Sequence, residues 1–316
     1  MMAQDALLGR LWPDPRDTFD LPTSFGTTRV HRAGPPCSDP VVLLSGANGN
    51  SLMWHRYIEP IARRRTVNAV DTVGEPGASI QSAPVTGAED GARWLEEVLA
   101  GLEATAAHLV GCSYGGWLAL GHQMHHPGRT AALTLVEPAG FADPGRRFYA
   151  WLIAGGLAGM APRALRPRLS RWVGNSAILE TELMELGRAS VGFRRALPPA
   201  RVFSDEELRR VRVPSLFLLG EQSSLHDARQ VAERVGALMP AAEVEVVPGA
   251  SHALPTDDPE LWPPASCGAR GSDGVSRTAT ELDLPLGVPS RSRPHQERGE
   301  GRRSSAGAAK PPRKRG

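Results

Sequence analysis

Apolar and polar positions follow two different periods along the chain, and their alternation predicts the architecture. Short, mostly apolar runs at 41–44, 66–70, 108–111, 133–136, 215–219 and 244–247 are too brief for helices. They read as strands buried on both faces. Stretches with helical spacing separate them. One covers 88–102 through Ala92, Leu95, Val98 and Leu99, one covers 115–125 before the Pro127-Gly128 stop, and one covers 227–238. Ser204 with Glu207 three residues on forms a capping-box pattern that opens another helix. Strand–helix alternation of this kind predicts the α/β class, with a mostly parallel sheet carrying helices on both faces. Between 141 and 203 the alternation stops, and only helical patterns remain, at 148–160 and 178–186 among others. That insertion reads as a helical cap at 141–203 over a core made of 1–140 and 204–262. No internal repeat is present.

Composition adds little until it is resolved by position. The 316 residues are 41% hydrophobic and 22% charged, enough for a full core. Basic residues number 36 against 34 acidic, a net of +2, so the whole chain gives no electrostatic reason to expect nucleic acid or an anionic membrane as partner. Residues 263–316, however, hold 11 basic and 5 acidic residues, a net of +6 that leaves −4 on residues 1–262. This segment is rich in Pro, Gly, Ser and Arg and cannot bury enough apolar surface to offset its ordering entropy. It is expected to be a disordered tail, its basic end Lys310-Pro-Pro-Arg-Lys-Arg315 a solvated charge run. Cys37, Cys112 and Cys267 are too few and scattered for a disulfide framework or a zinc cluster. The apolar run 148–160 holds three glycines and is too short to span about 30 Å of hydrocarbon. Residues 1–12 lack the apolar region of a signal peptide, so a soluble, cytoplasmic protein is expected.

Two local motifs carry chemistry. Gly111-Cys112-Ser113-Tyr114-Gly115-Gly116 leaves a predicted strand and enters a predicted helix. A turn that abrupt strains its middle residue, requires small neighbours, and presents the serine hydroxyl at the positive end of the new helix. Cys112, on the same turn, points elsewhere and reads as buried filler. The second motif, Val244 to His252, is the last strand followed by a short loop ending in histidine. A serine hydroxyl is a weak nucleophile until an imidazole takes its proton, and His252 stands after Ser113 in the chain order this scaffold uses. His122, His125 and His126 fall on or just after a helix, and His31, His55, His108 and His226 lack such a loop. An acyl-transfer site also needs two backbone N–H groups for its oxyanion. Tyr114, directly after the serine, and Ala47, in the loop Ser45-Gly-Ala-Asn-Gly-Asn-Ser51, are the candidates. No Gly-Lys-Ser/Thr follows that loop, which disfavours a phosphate-binding reading.

Leu44-Ser-Gly-Ala47, Asp71-x-x-Gly74, Gly77-x-Ser79, Gly111-x-Ser113-x-Gly-Gly and Gly249-x-x-His252 are together similar to the α/β-hydrolase superfamily. Thr23 to Val30, Met53-Trp54 with Tyr57-Ile58, Phe203 to Leu208 and Val213 to Glu221 resemble more narrowly the carboxylesterase NP group, the naproxen-esterase-like bacterial esterases. The resemblance covers about residues 10 to 262. It implies an α/β-hydrolase fold with a helical cap, and hydrolysis of carboxylic esters through an acyl-serine. Three departures stand out. Ser45-Gly46 replaces the usual His-Gly. The position three residues after the glycine that ends a strand, where the resemblance puts the triad acid, is Ser223, which cannot hold a histidine by charge. And the helix expected after Asp258-Pro-Glu-Leu261 is replaced by Trp262-Pro-Pro and the tail.

Three carboxylates compete for the acid role: Glu137 at the end of the preceding strand, a site used by relatives such as haloalkane dehalogenases; Asp227, which also opens a helix; and Glu221. In the cap, Trp151, Leu152, Met160, Trp172 and Met184 are candidates to line an acyl pocket or to pack cap on core. No metal or organic cofactor is implied, since the chain holds no HExxH, no Cys-x-x-Cys and no dinucleotide fingerprint. The expected partner is a small-molecule ester, with no nucleic acid and no membrane, and a homodimer is left open. Lactone or C–C hydrolysis on the same scaffold and a non-catalytic hydrolase-like protein stay as alternatives. Dehalogenation is disfavoured because it needs aspartate where Ser113 stands.

Overall fold

The computed structural model describes residues 8–12, 14, 16–190 and 192–257, all within one compact unit. The predicted tail at 263–316 and the end of the predicted core, 258–262, lie outside the described residues. Nine strands form one sheet: β1 Arg16–Thr23, β2 Gly26–Ala33, β3 Val41–Leu44, β4 Val67–Val70, β5 Ile80–Gln81, β6 Ala107–Cys112, β7 Thr130–Val136, β8 Ser215–Gly220 and β9 Ala242–Val247. Their order is β1-β2-β4-β3-β6-β7-β8-β9, with β5 beside β2. From β4 to β9 every pairing is parallel, while β2 runs antiparallel to β1, β4 and β5.

Among the described residues from 55 onward the α-helices are α1 His55–Ala62, α2 Ala88–Gly101, α3 Tyr114–His125, α4 Arg146–Met160, α5 Arg166–Val173, α6 Thr181–Ala189, α7 Asp205–Leu208, α8 Ala228–Leu238 and α9 Leu254–Asp257. β3 and β4 are buried along their whole length. Their alternate residues serve opposite faces: Val42, Leu44 and Val70 pack with Leu95, Leu99, Trp117 and Val235, whereas Leu43, Val67 and Ala69 pack with Trp54, Ile58 and Ile61. Apolar side chains on both faces are what a parallel sheet covered by two helical layers requires. The capping box at Ser204 and Glu207 forms as expected at the start of α7.

Between β7 and β8 stand only helices and turns, α4 to α7. The predicted helix over 178–186 is interrupted. A 3₁₀ turn at Ser176–Leu179 ends at Glu180, whose backbone is extended, and α6 starts after it. The Glu180 carboxylate meets Arg56 of α1 at 2.5 and 2.7 Å, which ties this helical segment to the core at the break. No helix among the described residues is long and apolar enough to cross a membrane.

Candidate active site

The turn from β6 into α3 is strained at one residue and crowded around it. Ser113 has φ 48° and ψ −109°, outside the conformations that L-residues favour. A Cβ at Gly111 would lie 2.4 Å from the Gly115 carbonyl oxygen, at Gly115 2.2 Å from the Leu44 oxygen, and at Gly116 2.8 Å from the Pro138 ring. The three glycines are therefore steric necessities, which is why the motif was readable. Cys112 is buried, and burial, followed by the Glu137 charge, pushes its thiol up to about 12, so it stays protonated and unreactive.

The loop after β3 lies against this turn, with a Cβ at Gly46 placed 3.4 Å from Ser113 Cβ. Ala47 is exposed in that loop, and Tyr114 is the first residue of α3, where an N–H has no helical acceptor. Neither amide has an acceptor among the described residues. Two buried acids hold the loop. Asp71 accepts from the Ser51 N–H at 3.0 Å and the Ala78 N–H at 2.8 Å. Glu75 accepts from the Asn48 N–H at 2.9 Å and from the Arg195 Nε. Burial raises the Glu75 carboxyl, against the pull of Arg195. The Arg195 guanidinium stands 4.2 Å over the Tyr114 ring.

The three carboxylate candidates separate cleanly. β6 and β7 are in register to the pair Cys112 and Val136, so Ser113 and Glu137 leave adjacent strand ends side by side. Glu137 is fully buried, has φ 49°, and places Oε2 2.8 Å from His252 Nδ1. A carboxylate can only accept, so Nδ1 carries a proton, and in the neutral imidazole Nε2 then keeps its lone pair. Glu137 also accepts from the Gly220 N–H at 2.6 Å and from the Ser223 hydroxyl. Burial pushes the Glu137 carboxyl up, but His252, His226 and Ser223 outweigh it and hold it below its ordinary value. Asp227 instead caps α8, accepting from the Arg229 and Gln230 N–H groups at 3.0 and 3.1 Å. Glu221 is half-exposed and accepts from the Gly249 N–H at 3.1 Å.

Several neighbours escaped the sequence reading. His226 is buried with its Nε2 3.9 Å from Glu137 Oε1, and burial lowers its imidazole. It lies in the loop after β8, beside Asp227, and no motif there marked it. Phe148, also missed, and Trp151, one of the expected cap residues, stand edge-on to the His252 ring, at 5.3 and 5.6 Å between centroids. Of the cap residues expected to line a pocket, Leu152 and Met160 face solvent, because α4 turns its opposite side to the core. Met184 packs beside Gly159. Trp151 and the largely exposed Trp172 border a cleft of about 450 Å³, shared with Arg147, Arg171, Gln222 and Ser224. A possible-ligand cluster of His55, Glu180 and Glu182 has one donor already bound to Arg56.

Comparison with known proteins bears on the fold and the family. The model of the alpha/beta hydrolase family matches residues 41–262. The uncharacterized carboxylesterase nap of Bacillus subtilis is 31% identical over 258 residues, covering 79% of this chain and 85% of that protein. Carboxylesterase YbfK of the same organism is 30% identical over 259 residues, covering 79% and 86%. The crystal structure of naproxen esterase (carboxylesterase NP) from Bacillus subtilis superposes with a TM-score of 0.71 at 29% identity, over 82% of this chain and 92% of that one.

Proposed function

The chain belongs to the alpha/beta hydrolase family, and from that premise we propose that Ser113, His252 and Glu137 are the catalytic triad of a serine carboxylesterase. Ester hydrolysis proceeds in two acyl transfers. Ser113 Oγ attacks the ester carbonyl carbon while His252 Nε2 takes its proton. The carbonyl oxygen becomes an oxyanion held by the Ala47 and Tyr114 N–H groups. The tetrahedral intermediate collapses, His252 gives the proton to the departing alcohol, and an acyl-Ser113 ester remains. Water, deprotonated by His252, then releases the carboxylic acid and restores the serine. Glu137 stays ionised throughout, fixing the Nδ1–H tautomer and stabilising the imidazolium.

The observation that carries the reading is the 2.8 Å contact between His252 and a buried carboxylate on the strand end next to Ser113. It also answers one of the two motives for a degraded, non-catalytic triad, the serine at position 223; the other, the replaced C-terminus, lies outside the described residues. The unpaired thiols at Cys37 and Cys112 support a reducing, cytoplasmic compartment. The test is hydrolysis of p-nitrophenyl acetate and butyrate together with labelling by a fluorophosphonate probe. Turnover and labelling that both vanish in Ser113→Ala are expected. A folded protein that does neither, or a Ser113→Ala variant that keeps both, would overturn the triad.

A further inference from the structure

The near-neutral net charge hides a segregation. Residues 144–179 contain six arginines and no acid, a net of +6. Residues 1–262 carry −4 in all, so taking out that segment leaves −10 on the remainder. The same segment holds most of the exposed apolar surface. Of the ten large apolar side chains exposed among the described residues, eight lie in it, from Tyr149 to Leu179.

Helix α4 shows how this surface is built. After Arg147 it has no charged residue and is apolar all round. Phe148, Trp151, Gly155 and Ala158 turn toward the protein. Tyr149, Leu152, Ile153, Leu157 and Met160, spaced as one helical face, turn to solvent, with Ile153 63%, Leu157 62% and Met160 68% exposed. A helix that is apolar on every side is stable in water only when both sides are covered. Trp172 on α5, 81% exposed, extends the patch. Around it Arg146, Arg147, Arg163, Arg168 and Arg171 are exposed and have no acidic partner among the described residues.

We infer that this face docks onto an anionic lipid surface, with the α4 stripe and Trp172 in the acyl–headgroup boundary and the arginines on the headgroup phosphates. Charge selects this occupant over two others. A second copy would bring the same +6 face against it. The chain's own residues 263–316 carry +6 as well. A bilayer containing anionic lipid supplies both the opposite charge and an apolar layer, the combination that interfacial helices with arginine flanks use. The docking is independent of the triad: Ser113→Ala is expected to bind vesicles as the parent does.

The test is co-sedimentation of the full chain with phosphatidylcholine vesicles, with and without phosphatidylglycerol, at about 0.1 M and about 1 M salt, where the screening length falls from about 10 Å to about 3 Å. Binding is expected only with phosphatidylglycerol and is expected to weaken strongly at high salt. The variant Ile153→Glu/Leu157→Glu should lose binding by about tenfold or more while keeping the parent's circular dichroism and p-nitrophenyl butyrate turnover. Equal binding to neutral vesicles, or no binding, overturns the inference. So does undiminished binding by the folded double variant, which would assign the affinity to residues 263–316. A homodimer that dissociates in the double variant, with no vesicle binding by the parent, would show that a second copy covers the face.

Discussion

Glu137→Gln tests the proposed triad at its most discriminating point. The carboxylate accepts three hydrogen bonds: from the Gly220 N–H at 2.6 Å on Oε1, and from His252 at 2.8 Å and Ser223 on Oε2. Glutamine keeps the shape but has one acceptor oxygen. Gly220 is a backbone donor at the end of β8 and cannot turn, so it claims that oxygen. The amide NH₂ then faces Ser223 and His252. The Ser223 hydroxyl rotates to accept, and the imidazole answers by moving its proton from Nδ1 to Nε2. That tautomer has no lone pair to take the proton from Ser113. In the serine-protease triad that illustrates the principle, the equivalent change costs about 10⁴ in kcat. We therefore expect kcat/KM for p-nitrophenyl butyrate to fall by about 10³ to 10⁴, or about 4–5.5 kcal/mol, with KM nearly constant. A thermal melt of the same sample checks that the fold survives. Near-parental turnover in a folded Glu137→Gln protein would refute the reasoning. An equal loss in Asp227→Asn or Glu221→Gln would refute it as well.

Three further outcomes follow from single contacts. Asp227→Ala removes a two-bond helix cap and should lower stability by about 1 kcal/mol, seen as a melting point about 2–4 °C lower, with kcat/KM intact. Gly115→Ala forces a Cβ to 2.2 Å from the Leu44 carbonyl oxygen, backbone against backbone. It should cost more than about 4 kcal/mol in denaturant unfolding or abolish soluble protein, and an unshifted midpoint would contradict the crowding. Burial holds the His226 imidazole below its ordinary 6.5, so the unfolded chain takes a proton that the native state refuses. Its contribution is complete above about pH 6.5 and is lost as pH falls toward the lowered native value, by up to about 1.4 kcal/mol per unit. Glu137 acts in the same direction but only below its ordinary 4.5. His226→Gln should thus flatten the fall of urea midpoints between pH 6.5 and 5, and an unaltered slope would show that the buried ring is not the cause.

The interior strands were legible because burial on both faces leaves a run with no polar alternative. β3 at Val41–Leu44 and β8 at Ser215–Gly220 match their predicted runs to within a residue. The β1–β2 hairpin was not legible. Arg16-Asp-Thr-Phe-Asp-Leu-Pro-Thr faces solvent along most of its length, and its place depends on β2 pairing with β4 across the chain, Val30 against Val70. The helix predicted over 178–186 forms only from Thr181, and the break at Glu180 coincides with a contact to an arginine over 120 residues away in sequence. In the site, the serine turn and the histidine loop are local geometry written in glycines. The choice among carboxylates is not local. It depends on where the loop after β9 carries His252 Nδ1, and no spacing within 137–227 encodes that.

In the proposed triad, the placement of Glu137 also explains how the constellation can tolerate serine at position 223. β7 and β8 are adjacent parallel strands, with Val136 paired to Leu218, and their C-terminal ends open toward the same loop. A carboxylate from either end can therefore approach the same imidazole. From the β7 end the chain must leave the strand sharply, and Glu137 does so with φ 49° while its own N–H still donates to the Leu218 oxygen at 2.9 Å. A buried carboxylate held only by a histidine would leave acceptor sites unfilled, which burial penalises. The neighbouring strand end fills them, through the Gly220 N–H and the Ser223 hydroxyl. Ser223 thus shares the Glu137 Oε2 oxygen with His252, as a donor where the resemblance implied an acceptor. In the proposed triad the negative charge stands at the end of β7 rather than β8, and a hydroxyl completes its hydrogen bonds where a carboxylate was expected.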